Sequence, residues 1–144
     1  MPDRRHARGL VDTSVVIDFD RVDVQSLPRE VAISAITLAE LAAGPQATND
    51  REERARRQDR LQRAEATFDP LPFDAEAARA YGRVYAALAR AGRKARGRRM
   101  ADLLIAATAV AAQLPLYTRN PKDFTHLEKI ATIVPVAVCP PVER

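Results

Sequence analysis

Apolar residues fall in short runs separated by longer stretches with a helical repeat. The run Gly9-Leu10-Val11 is compact and stops abruptly at Asp12, so residues 8–11 read as a buried strand with Asp12 at its C-terminal end. Residues 13–19 then form a short helix that Asp12 can cap, and residues 20–29 a polar connection. Residues 31–34 make a second short strand. Thr37 and Glu40 have the capping-box spacing and open a helix that stops at Gly44-Pro45. Residues 48–67 are a highly charged helix with few apolar positions. Pro70 and Pro72 restrict residues 68–73 to an edge strand. Asp74 caps a helix whose apolar face is Ala77, Ala78, Tyr81, Val84, Tyr85 and Leu88, ending at Gly92. Residues 100–114 are the most apolar helix, 116–118 a third strand, and Asn120-Pro121 begins a turn. Residues 132–138 are a last strand, interrupted by Pro135. Strands alternating with helices mean an α/β domain whose sheet is mostly parallel and flanked by helices. No linker or internal repeat divides the 144 residues, so they form one domain, with 1–7 a frayed leader and 139–144 a tail.

Charge adds a preference for anionic partners. The net charge is +4, and Lys94, Lys122 and Lys129 are the only lysines among 23 basic residues. Arginine suits bidentate phosphate contacts, although a compositional bias of the source genome would have the same result. Cys139 stands alone, so no internal disulfide forms, which fits a reducing compartment. The apolar run 103–112 is too short to span a bilayer, and the leader is a poor signal peptide. The expectation is a cytoplasmic protein without a membrane partner.

Four acids then stand out by position. Asp12 ends the first strand, Glu40 follows the second by one short turn, Asp102 lies at the start of the apolar helix, and Asp123 follows the third strand. Each has an ordinary explanation: an N-cap for Asp12, a capping box for Glu40, a helix-dipole partner for Asp102, a local turn for Asp123. Together they converge on one sheet edge, where they repel one another unless a cation sits among them. Carboxylate oxygens suit Mg²⁺ or Mn²⁺ rather than zinc, and such a site activates water against a phosphodiester. Ser14, Thr118 and Asn120 are placed to orient a water or a carboxylate, or else serve ordinary turn chemistry.

These residues carry a resemblance. Leu10-Val11-Asp12-Thr13-Ser14, Ile36-Thr37-Leu38-Ala39-Glu40-Leu41, the segment from Ala101-Asp102 to Ala109, and Tyr117-Thr118-Arg119-Asn120-Pro121-Lys122-Asp123-Phe124 resemble, in order, the four motifs of PIN-domain ribonucleases. The chain is most similar to the VapC toxins of bacterial toxin–antitoxin pairs. The resemblance implies a parallel sheet with the acids at its C-terminal edge. It implies an acidic quartet of Asp12, Glu40, Asp102 and Asp123, with Asp12 and Asp102 most directly tied to metal. Thr118 and Asn120 correspond to its polar pair and Ser14 to the serine after the first acid. It further implies endoribonuclease activity, a VapB-like antitoxin and a homodimer.

Arg90, Arg93, Lys94, Arg96, Arg98 and Arg99 crowd into ten residues without an acid and directly precede Asp102. A charge run is usually a solvated face, but this one abuts an edge that repels RNA. Arg93, Lys94, Arg96, Arg98 and Arg99 are therefore expected to grip the RNA backbone. Aromatic residues are few and none lies in this loop, so stacking contributes little. The charged helix 48–67 and the helix at 38–43 are assigned to the antitoxin groove by analogy. A non-catalytic RNA- or protein-binding module on the same scaffold is the competing reading, and it leaves the four acids unexplained. A receiver-like domain lacks a second acid beside Asp12, and a nucleotide-binding domain lacks a glycine-rich loop after the first strand.

Overall fold

The structure is a computed structural model and describes residues 5–140. Four strands form one all-parallel sheet in the order β2-β1-β3-β4: β1 (Arg8–Val11), β2 (Glu30–Ala32), β3 (Leu116–Thr118) and β4 (Ile133–Pro135). The chain passes from β1 to β2 on one side, and β3 and β4 lie on the other. The topological switch point therefore falls between β1 and β3. That is where open α/β sheets place their ligands, beyond the carboxyl ends of the strands.

The two central strands are apolar at successive positions because both sheet faces are covered. Leu10 and Leu116 enter one core with α4 (Ala75–Arg90) and α5 (Arg98–Ala112). Val11 and Tyr117 enter the other, with α1 (Thr13–Ile17), α2 (Ala35–Ala43) and α3 (Arg51–Thr67) contributing Val15, Leu41 and Ala64. Small residues line the tight packing of α4 and α5, among them Ala77, Ala80, Ala106 and Ala109. Among the described residues no helix is long and apolar enough to cross a membrane.

Several elements differ from the sequence reading, each for a local reason. α2 starts at Ala35 because buried Ser34, not Thr37, is its N-cap, its Oγ accepting from Thr37 N at 3.0 Å. Glu40 therefore sits in the second turn and is freed from capping. α5 starts at Arg98 rather than Met100, preceded by Gly97 at φ 56°, a left-handed turn suited to glycine. Arg98 and Arg99 are thus helical, and Asp102 lies beyond the first turn, where the dipole explanation fails. Residues 68–73 form no strand. Leu71 alone makes a parallel bridge, with Ser34, its N–H donating to Ile33 O at 2.9 Å. Pro70 and Pro72 on either side have no N–H to extend it. β4 is shorter than 132–138, and Val138 instead bridges Val22. Residues 1–4 and 141–144 of the expected leader and tail lie outside the described residues. The leader's last residues are tied down: His6 O and Ala7 O accept from Arg29 N and Glu30 N, each at 3.0 Å.

One close approach holds β1 in place. A Cβ at Gly9 would lie 2.4 Å from Tyr117 Cε1 and 3.0 Å from Pro28 Cγ. Tyr117 is buried and met edge-on by His6, so its ring cannot step aside. Gly9→Ala is expected to cost about 1–3 kcal/mol, the usual penalty of overpacking, read as a lower urea midpoint at unchanged m-value.

Candidate active site

Asp12 follows β1 and sits between it and β3. Its N–H donates to Tyr117 O at 3.0 Å, continuing the sheet pairing by one residue. Its carboxylate caps α1, with Oδ1 accepting from Val15 N at 3.3 Å and from Ser14 Oγ at 2.5 Å. Only 4% of the residue is exposed. Burial raises its pKa, and hydrogen bonds from Ser14 and Thr118 and from the Val15 and Ser14 backbone oppose the rise. The ordinary cap explanation is therefore correct: the Asp12 carboxylate caps α1.

Ser14 and Thr118 join the two strand ends. Ser14 Oγ accepts from Arg119 N at 3.2 Å while donating to Asp12. Thr118, fully buried, accepts from Asn120 N at 3.0 Å. These hydroxyls orient the carboxylate and the turn rather than opening onto solvent. Asn120 is exposed and lines the cavity described next.

Asp12, Ser14, Glu40, Asp102, Asn120 and Asp123 line a single cavity of about 390 Å³ at this edge. Glu40 comes from α2 and is held there by Thr13 Oγ1, which donates to its Oε1 at 2.6 Å and lies 3.0 Å from Thr37 Oγ1. Asp102 comes from α5 and Asp123 from the 3-10 turns at Pro121–Leu127. The Asp102 carboxyl is pushed up to about 7, first by burial and then by the charges of Asp12, Asp123 and Glu40, with Arg98 pulling the other way. Asp12, Glu40 and Asp123 therefore all act on Asp102, although the four are dispersed through 112 residues of chain from Asp12 to Asp123.

The donor set fits a hard divalent cation. All four side chains offer oxygen, and their mutual repulsion is the electrostatic cost that a cation removes. Among the described residues no three such side chains stand close enough to enclose an ion by themselves. Sharing between one or two carboxylates and retained waters is the usual manner of Mg²⁺, which dehydrates reluctantly.

The basic segment is only partly at the site. Lys94, Arg96, Arg98 and Arg99 border a shallower depression together with Asp102 and Asp123. Arg93 is exposed and lines neither hollow; burial lowers the His126 imidazole pKa, and the charges of Arg93 and Arg99 lower it further. Sequence reading missed the opposite wall. Arg57 and Arg60 of α3 line the acidic cavity, and Thr13 positions Glu40. The signal for Thr13 was its place beside Asp12. The signal for Arg60 was the lack of any acid three or four residues away, where Arg56, Arg57 and Arg63 each have one; no sequence signal placed Arg57 at the cavity.

A four-stranded parallel sheet with an acidic cavity at its switch point is the architecture of a known family: residues 9–130 match the PIN domain, and the chain belongs to that family. Within it the likeness is to the VapC ribonucleases. The chain is 37% identical over 130 residues to Ribonuclease VapC5 of Mycobacterium tuberculosis, covering 88% of this chain and 93% of the relative. It is 30% identical over 128 residues to Ribonuclease VapC of Rickettsia bellii, covering 86% and 93%. Among solved structures it matches the VapBC-5 toxin–antitoxin structure of M. tuberculosis with TM-score 0.78 and 38% identity, over 90% of this chain and 98% of that one. It matches FitAcB of Neisseria gonorrhoeae with TM-score 0.68 and 27% identity, over 87% and 95%.

Proposed function

We propose that the chain is a Mg²⁺- or Mn²⁺-dependent endoribonuclease toxin held in check by a VapB-like antitoxin. The observation that carries this reading is the gathering of four carboxylates from four separate segments into one cavity at the β1/β3 switch point. Ribonucleases of the VapC family are its relatives at 37% and 30% identity. A passive binding module has no use for four acids in a cavity that would repel RNA.

Asp12 and Asp102 would hold the metal, with Glu40 and Asp123 reaching it through retained waters. The bound metal supplies an activated water and shields phosphate charge. The chain's own residues do the positioning. Ser14 fixes the Asp12 carboxylate, Thr13 fixes Glu40, and Lys94, Arg96, Arg98 and Arg99 attract the RNA backbone at the adjoining depression.

The antitoxin is the protein partner of this reading, as VapBC-5 pairs toxin with antitoxin in M. tuberculosis. An apolar groove between α1 and α3 suits such a partner. It exposes Ile17 and Phe19 over a floor containing Phe68, and Arg56, Arg60 and Arg63 rim it. The groove lies on the α1 side of α3, and α2 packs on α3 beside it. A homodimer belongs to the same proposal. Exposed Tyr85 and Met100, linked through Tyr81, are an apolar surface available to a second copy.

The test is to incubate the purified chain with RNA, with and without Mg²⁺ and with a chelator. Cleavage that needs the metal and leaves 3′-hydroxyl and 5′-phosphate ends is expected. Metal-independent cleavage, or 2′,3′-cyclic phosphate ends, would sink the reading.

A further inference from the structure

The charged helix α3 is mostly occupied with itself. Arg56 and Arg57 bond Glu53 at 2.7 and 3.0 Å, and Arg63 pairs with Asp59 at 3.0 Å, all at helical i,i+3 or i,i+4 spacing. Arg54 donates to the Pro45 and Thr48 carbonyls, and Arg57 also donates to Gly44 O at 2.9 Å. Arg60 differs. Among the described residues it has no ion pair and no side-chain hydrogen bond, yet it is half-buried. Arg51 is also unpaired, but it is exposed and lines neither this cavity nor the adjoining groove. The Arg60 nitrogens carry no protein partner and stay open to the cavity, so they are available to an anionic ligand that enters it.

Its position says which ligand. Arg60 lines the cavity that holds Asp12, Glu40, Asp102 and Asp123, and it also lines the groove that leads from it past Phe19 and Phe68. Arg57, the other α3 arginine in the cavity, is already neutralised by Glu53. Arg98 enters the same cavity from α5, and α2 packs against both α3 and α5. Two free guanidiniums thus reach the acidic site from separate helices. An RNA strand whose scissile phosphate lies among the acids must carry its flanking phosphates along these walls. A planar guanidinium fork fits a phosphate bidentately.

We infer that Arg60 is a substrate-positioning residue that holds an RNA phosphate next to the scissile one, on the α3 side of the acidic cavity. This rests on the ribonuclease reading above. The strand then spans the site from the basic α5 wall to α3, and the α3 arginine adds a contact separate from the basic loop.

The test measures binding of a short single-stranded RNA to the full chain carrying Asp12→Asn, with Mg²⁺ present, by fluorescence anisotropy across a salt series. Arg60→Ala in that background is expected to weaken binding roughly tenfold, as loss of a charge-assisted phosphate contact should. It should also flatten the log–log salt slope by about 0.7, the single-strand value for one phosphate. Arg60→Lys should restore most of the slope, and Arg51→Ala should change neither quantity. With the acids intact, Arg60→Ala should raise KM while leaving kcat within about twofold, the mark of uniform binding. An Arg60→Ala salt slope and affinity equal to those of Arg51→Ala would overturn the inference, including the case where only antitoxin affinity falls. If the unaltered chain neither binds nor cuts RNA with Mg²⁺, the ribonuclease reading fails instead, so the two failures are distinguishable.

Discussion

Asp12→Asn is expected to abolish RNA cleavage while the protein stays folded. The substitution keeps the shape of the side chain and the ability to cap α1, since asparagine is as good an N-cap as aspartate. Its Oδ1 can still accept from Ser14 Oγ and Val15 N. What disappears is a buried negative charge at the switch point. Removing that charge takes away a metal-holding oxygen and the transition-state stabilisation that depends on it, on the order of 4 kcal/mol. That corresponds to roughly a thousandfold in rate. Burial raises the Asp12 pKa, so deleting the charge also relieves a desolvation cost, and the melting temperature should hold or rise. Asp102→Asn should behave alike. Cleavage assays beside thermal melts check both variants. Activity within about tenfold of the unaltered chain would remove the carboxylates from the chemistry.

The second large effect is on pH. The Asp102 carboxyl sits at about 7, raised by burial and by Asp12, Asp123 and Glu40 from an ordinary 3.8. Without metal, the folded chain therefore binds more protons than the unfolded one between those two values. Its stability falls as pH rises through that window, because the raised group must ionise in a repulsive cavity. A divalent cation reverses the preference. It binds the ionised form and displaces the proton, so its affinity should fall about tenfold per pH unit below 7 and level off above. Isothermal titration with Mg²⁺ at several pH values measures this, and melts with and without Mg²⁺ should diverge as pH rises. An affinity that is flat from about pH 5 to about pH 8 would show that Asp102 is not among the ligands.

Patterns of one residue type against position were enough for the α/β class, β1, β3, α4 and the positions of the four acids. Leu10, Val11, Leu116 and Tyr117 are apolar at consecutive positions because both faces of the central strands are covered, and a run of that kind is visible in one dimension. Asp12 was legible for the same reason, as a carboxylate where an apolar run ends. The boundaries that moved were those where two residues competed for one local role. Ser34 and Thr37 can each cap α2, and burial of Ser34 against Leu71 and Thr37 decided between them. Gly97 decided the start of α5, with the result that two arginines left the loop for the helix.

Tertiary structure alone decided how the acids relate and which arginines reach them. Asp12 and Asp123 share one cavity because β1 and β3 are neighbours at the switch point, a pairing between segments more than one hundred residues apart. Burial there, with the charges of Asp12, Asp123 and Glu40, lifts the Asp102 carboxyl, which no neighbour in sequence would do. In α3 the spacing already pairs Arg56, Arg57 and Arg63 with acids three or four residues away and gives Arg60 none. Folding adds the carbonyl partners of Arg54 and Arg57 and brings Arg60 to the cavity wall. Local spacing dictates which groups exist, which element carries them and which charges pair within one helix. Long-range packing dictates which of the remaining charges reach the site, because Coulomb and hydrogen-bond partners are set by distance in space rather than along the chain.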